Sequence, residues 1–115
     1  MTQKQKNLLI KDLCSRLPYE VKVLYKGEKY KIANVSICNE TITIYGERGY
    51  PIEVEIKKVK PYLFPISSMT EKQDKEFMNI QIGYPSVDWF NKNNFDYRDL
   101  IPMGLAIDAT GLNIY

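Results

Sequence analysis

The amino-acid sequence predicts a single α+β domain over residues 1–115, and three observations carry that expectation. Apolar residues recur at four-residue spacing near the start of the chain, the mark of a helix. Residues 19–59 then alternate apolar and polar between tight-turn residues, the mark of short antiparallel strands. From Thr70 onward, helix-capping residues precede further apolar and aromatic positions. A chain of 115 residues with 44% apolar and 26% charged side chains has the size and composition of one globular domain.

The first helix is expected over Lys4–Arg16. Leu9, Leu13 and Leu17 form its stripe, flanked by Ile10 and Cys14, while Lys6, Asp12 and Arg16 fall outside it. Pro18 ends it, because the residue before a proline is pushed out of the helical region. Tyr19, Val21, Val23 and Tyr25 then alternate with Glu20, Lys22 and Lys26 to make a first strand. Lys26-Gly27-Glu28 turns the chain, and a second strand runs over Lys29–Cys38. A slip in its apolar spacing at Ala33 or Asn34 predicts a β-bulge. Thr41–Tyr45 and Tyr50–Val59 supply two more strands, separated by a Gly46–Gly49 turn. Four such strands form an antiparallel bulged meander, which a strong twist would curl into an SH3-like half-barrel. Pro61-Tyr62-Leu63-Phe64-Pro65 is read as an extended apolar cover. Thr70 with Gln73 forms a capping box for a second helix. Gly83-Tyr84-Pro85 breaks it, and Ser86 caps a third through Trp89 and Phe90 to Asn93 or Asn94. The tail from Phe95 to Tyr115 is expected to be irregular, with at most one helical turn near Arg98–Ile101. The expected core holds Leu9, Leu13, Val21, Val23, Ile32, Ile42, Ile44, Val54, Ile56, Phe77, Trp89 and Phe90.

Composition narrows the chemistry. There is no histidine, so the commonest general base and the commonest metal ligand are both missing. The two cysteines, Cys14 and Cys38, lack zinc-site spacing, and Cys14 reads as a small buried hydrophobe. There is no phosphate-binding glycine loop and no nucleophile elbow. Glu53 and Glu55 share a strand face that alternation turns to solvent, and Asp96 and Asp99 read as capping and pairing groups around Arg98. The expectation is a protein that is not an enzyme and uses no cofactor or metal. Met1 to Lys6 are polar and no apolar run approaches ~20 residues, so neither a secretory signal nor a membrane span is expected and the cytoplasm is the expected compartment.

Charge is unevenly spread. Residues 1–31 carry eight basic and three acidic side chains, whereas residues 70–115 carry four basic and seven acidic ones. Such asymmetry either steers a ligand or lets the two ends of the chain attract each other in the fold, and the second is the expectation. Two stretches stand out as binding candidates. The segment from Asp88 to Arg98 interleaves Trp89, Phe90, Phe95 and Tyr97 with amides and charges, and serves either a core or a stacking surface. Lys22, Lys26, Lys29 and Lys31, with Tyr25 and Tyr30, would form a basic aromatic ribbon for weak, sequence-independent nucleic-acid binding. Glu20 and Glu28 oppose that field, and lysines on a hairpin also guard strand edges.

Three ordered motifs add a resemblance. They are Lys11-Asp12-Leu13-Cys14-Ser15-Arg16-Leu17-Pro18-Tyr19, Val59-Lys60-Pro61-Tyr62-Leu63-Phe64-Pro65-Ile66-Ser67-Ser68-Met69-Thr70, and Phe95-Asp96-Tyr97-Arg98-Asp99-Leu100-Ile101-Pro102-Met103-Gly104-Leu105-Ala106. In them the chain resembles a family of small uncharacterised proteins from Bacteroides-type gut anaerobes and their phages or mobile elements. Glu20 and Asp99 stand where that family is expected to carry glycine. The resemblance implies a small accessory protein and assigns no activity to any residue. The leading expectation is therefore a non-catalytic protein-interaction module, binding a protein partner or itself, and the alternative is the basic hairpin as a nucleic-acid binder.

Overall fold

The computed structural model describes residues 1–47, 49–80 and 84–115 and is an α+β fold. Helix α1 spans Gln3–Arg16 and starts one residue before the expected position. Thr2 Oγ1 accepts the Gln5 N–H at 3.1 Å, and Gln5 Oε1 accepts the Thr2 N–H at 2.9 Å, a reciprocal cap that satisfies two otherwise orphaned donors. Helices α2 (Glu71–Met78) and α3 (Tyr84–Lys92) follow late in the chain. The Thr70–Gln73 capping box forms as the sequence indicates. Helix α3 begins two residues before the expected cap at Ser86, while Gly83 and the Ser86 side chain lie outside the described residues, as does Arg48 of the Gly46–Gly49 turn.

Seven strands form one mixed open sheet: β1 (Lys22–Tyr25), β2 (Glu28–Ser36), β3 (Thr41–Tyr45), β4 (Ile52–Glu55), β5 (Lys60–Pro65), β6 (Phe95–Asp96) and β7 (Ile107–Asp108). Their order is β4-β3-β2-β1-β5-β6, with β7 also on β5. Lys26 and Gly27 both take positive φ, 48° and 78°, the geometry of a two-residue hairpin turn whose twist matches its strands. The register shift between β2 and β3 falls between Ile32 and Asn34, where the slipped spacing indicates it.

The expected count of four strands is corrected to seven. Lys60–Pro65 is a strand rather than a cover, because β1 leaves an unpaired edge that Lys60 and Pro61 fill. The tail is not wholly irregular either. It returns twice to pair in parallel with β5, at Phe64↔Phe95 and Tyr62↔Ile107. Parallel pairs between segments so distant in sequence leave no local turn signal.

The core lies between α1 and one sheet face. Leu9, Leu13, Val23, Ile42, Ile44, Ile56, Val59, Leu63 and Leu100 are almost wholly excluded from solvent. Ile32 and Val54 pack on it half-buried. A second cluster is aromatic. Trp89 stacks on Phe95 at 5.5 Å between ring centres, Phe90 stacks on Tyr97 at 5.6 Å, and Phe77 closes onto Phe90 at 5.0 Å. Trp89 Nε1–H donates to Glu76 Oε1 at 3.0 Å. These rings join α2 and α3 to the sheet, so the 88–98 segment is largely interior.

The largest departure from the sequence reading is Asp12 and Arg16, expected on the polar side of α1. Both side chains have no solvent exposure. Asp12 accepts from Arg16 Nε at 2.8 Å and Nη2 at 3.1 Å, and from Arg98 Nη1 at 2.8 Å. Arg16 Nη2 also donates to the Phe95 carbonyl at 2.6 Å. The Tyr97 ring faces both guanidiniums, at 5.4 Å and 4.5 Å, and its hydroxyl donates to Asn91 Oδ1 at 2.9 Å. A sequence periodicity reports one buried stripe, whereas α1 buries two adjacent ones, against the sheet and against the segment around β6.

Asp12→Asn removes the carboxylate charge that faces two guanidiniums, one fully buried, and is expected to lower unfolding free energy by ~3–5 kcal/mol in urea titration. Asp99 adopts φ 59°, where an L side chain is strained and glycine is not. Asp99→Gly is accordingly expected to raise stability by up to ~1 kcal/mol in the same assay.

Candidate functional site

The β1–β2 hairpin divides the six residues of the expected ribbon between two faces. Opposed residues in an antiparallel pair point the same way, and the register sets Lys22 against Lys31, Val23 against Tyr30, Leu24 against Lys29 and Tyr25 against Glu28. Lys22, Lys29 and Lys31 therefore project from the outer face. Tyr25 and Tyr30 lie on the core face with Val23, packed against the hydrophobic cluster and edge-to-face with each other at 5.9 Å. Lys26 sits in the turn with its ammonium 5.4 Å from the Tyr25 ring. The period of two sets positions 22, 29 and 31 on the face opposite 25 and 30, yet Tyr30 still borders one cleft with those three lysines, while Tyr25 and Lys26 stand outside it.

The lysines also differ in what holds them. Lys22 Nζ donates to the Ile114 carbonyl at 2.9 Å and lies 5.7 Å from the Tyr115 ring. Glu20 stands between Lys22 and Lys31, at 3.9 Å and 3.7 Å. Lys29 makes no ion pair among the described residues. Beside them opens a cleft of about 280 Å³, bounded by the three lysines, Tyr30, Tyr45, Gly46, Glu47 and Gly49. The Gly49 N–H donates to the Gly46 carbonyl at 3.0 Å, and the φ of 86° at Gly49 requires glycine.

Tyr115 fastens the tail to this region. Its hydroxyl donates to the Tyr62 carbonyl at 2.7 Å and accepts the Lys22 N–H at 2.8 Å. Withdrawal from water pushes the phenol well above its ordinary range, with the Lys22 N–H acting in the opposite sense. The sequence offered no signal for this contact, which spans 93 positions.

The free end of the sheet is β4, whose only strand neighbour among the described residues is β3. Ile56 N–H donates to the Glu40 carbonyl at 3.0 Å, and those two residues lie in the register that opposes Thr41 to Glu55. Antiparallel bonds alternate, so Val54 and Ile52 bond to β3 while the N–H and C=O groups of Glu53 and Glu55 point outward. Tyr50, just before β4, is 86% exposed, and Ile52 is 40% exposed. Glu55 is tied to Lys57 at 3.3 Å, a hydrogen bond and charge that hold its carboxyl below the usual carboxylate range.

Cys14, Asp96 and Arg98 each have defined surroundings. Burial raises the Cys14 thiol above its ordinary pKa, which disfavours the nucleophilic thiolate. Asp96 accepts the N–H groups of Leu100 at 2.9 Å and Ile101 at 2.8 Å, so the sequence reading of a capping group holds for it, while Arg98 pairs with distant Asp12 rather than with Asp96 or Asp99. Among the described residues no three His, Cys, Asp or Glu side chains converge as a metal site, and no helix is long and apolar enough to cross a membrane. Comparison with known proteins finds no matching family profile, curated protein or solved structure.

Tyr115→Phe deletes the hydroxyl that bridges β1 and β5 and is expected to cost about 1 kcal/mol at neutral pH. The folded phenol titrates above its ordinary value of 10.0, so its contribution is complete below pH 10.0 and is lost as pH rises beyond it. Stability of the native chain should therefore fall more steeply than that of Tyr115→Phe above pH 10.0, measured by denaturant titration at stepped pH.

Proposed function

We propose that the protein is a non-catalytic binding module that takes an extended segment of a partner protein onto the free edge of β4. The observation that carries this reading is the outward-facing pair of backbone donors and acceptors at Glu53 and Glu55, next to exposed Tyr50 and Ile52. A strand added there gains main-chain hydrogen bonds, while alternate side chains set its specificity. We read the curled part of the sheet as an SH3-like half-barrel. Supporting this, β4 and β5 stand four places apart in the sheet, yet only residues 56–59 connect them, which demands strong curvature. The accessory role in a Bacteroides-type anaerobe or its mobile elements, implied by the motifs of residues 11–19, 59–70 and 95–106, accords with a binding module.

The edge favours a different chain over a second copy. If two β4 strands paired antiparallel through their outward groups, any register that joins their Glu53–Glu55 segments would set at least one glutamate directly against a glutamate of the other copy. Like charges directly opposed destabilise a strand pair. The partner strand is one with Lys or Arg at the positions opposite these carboxylates and apolar residues between them. The basic hairpin draws less support as a nucleic-acid surface, since Tyr25 packs on the core and Lys26 lies over its ring, outside the cleft that the other three lysines share.

Glu53→Pro removes one outward N–H without touching a β3 bond, and is expected to abolish partner capture while changing stability by no more than ~1 kcal/mol. The measurement is photo-crosslinking from position 50 in host extract, with peptide mapping of the captured segment. An alternating basic and apolar segment lost in Glu53→Pro supports the reading. Capture unaffected by Glu53→Pro, or no captured protein, overturns it. Light scattering is expected to show a monomer.

A further inference from the structure

We propose that the cleft beside the β1–β2 hairpin binds a small phosphate-bearing anion. Its walls bring together Lys22, Lys29, Lys31, Tyr30, Tyr45 and Glu47. A neighbouring cleft shares Lys29, Tyr30 and Glu47 and reaches Tyr50 and Ile52, but the outward backbone groups of β4 play no part in anion binding and neither reading depends on the other.

The charge arrangement is the first reason. Lys22 and Lys31 are directly opposed across the strand pair, a like-charge contact that sheets disfavour. Lys29 lies two residues from Lys31 on the same face, about 7 Å along the strand. Three lysines thus line one cleft, and the Glu20 carboxylate is shared between the ammoniums of Lys22 and Lys31, at 3.9 Å and 3.7 Å. Glu47 on the opposite wall adds one negative charge and makes no ion pair among the described residues. A net positive balance remains, suited to an anion with several acceptor oxygens.

Preorganisation is the second. The Lys22 ammonium is fixed by the Ile114 carbonyl at 2.9 Å and by the Tyr115 ring, so one cation stands in place before any ligand arrives. On the wall opposite, the Gly49 N–H donates to the Gly46 carbonyl and holds those two glycines together. Size is the third. A volume of about 280 Å³ admits a small molecule, whereas a nucleic-acid strand needs cations spaced along a track. The three lysines here line one cleft, and Lys26 stands apart on the Tyr25 ring.

The test is a ¹H–¹⁵N NMR titration of the full chain with inorganic pyrophosphate at low salt, with a twelve-nucleotide oligothymidylate as the second arm. Saturable shifts below about 5 mM pyrophosphate, centred on residues 20–22 and 29–31 with Tyr45, Gly46, Glu47 and Gly49, are expected. Lys29→Ala and Lys31→Ala should each weaken binding about tenfold, and Lys26→Ala should leave it unchanged. Glu20→Gln should strengthen it roughly two- to threefold, a gain that a purely structural role for Glu20 would not produce. Absence of saturation, shifts spread over all lysines, or indifference to Lys29→Ala and Lys31→Ala would overturn the proposal. So would tighter binding of the oligonucleotide with shifts reaching Tyr25 and Lys26, which would assign the surface to nucleic acid.

Discussion

Asp12 sits where the first helix meets the last third of the chain, and its carboxylate faces two guanidiniums with almost no water to share the charge. A buried ion is tolerated only when its partners are fixed, because desolvation costs several kcal/mol per charge. Each partner is fixed from a different direction. Arg16 comes from the same helix four residues on and also holds the Phe95 carbonyl, while Arg98 arrives from the segment after β6. Asp12 therefore determines how α1, β6 and the following turn sit together. Tyr97 lies beside both guanidiniums and extends the junction into the aromatic cluster through Phe90.

That junction explains why the tail is ordered despite its glycines and proline. Held near α1, the chain after Arg98 turns through Asp96-capped residues and comes back to β5 as β7. Ala109 N–H then donates to the Leu63 carbonyl at 2.8 Å, and Tyr115 closes over Tyr62. The tail thus covers β5 on one edge while β1 covers the other. With both edges of β5 occupied, the exposed edge of the antiparallel strands is displaced to β4.

The two candidate surfaces follow from that displacement. Along the outer sheet face, carboxylates of Glu53 and Glu55 mark the free end, and the lysines of β1 and β2 lie toward the middle. The uneven charge seen along the chain reappears in space, though not as the attraction between its ends that the counts alone imply. The contact that joins the ends takes an acid from the basic segment and a base from the acidic one, Asp12 with Arg98.

Local signals were sufficient for what depends on neighbours in sequence. The stripe of Leu9 and Leu13, the Lys26-Gly27 turn, the bulge beside Ala33, the Thr41–Tyr45 strand and the Thr70 cap all rest on interactions within a few residues, and each is where the sequence places it. The same period of two that revealed the first hairpin also separates its lysines from its tyrosines, so that division was legible in principle. What the chain alone did not reveal rests on partners dozens of residues apart. Asp12 and Arg16 look like surface charges until Arg98 and the Phe95 carbonyl cover them. Lys60–Pro65 looks like a cover until the empty edge of β1 makes it a strand. Tertiary structure decided these cases because burial and edge pairing depend on what arrives from elsewhere in the chain, and no local periodicity records that arrival.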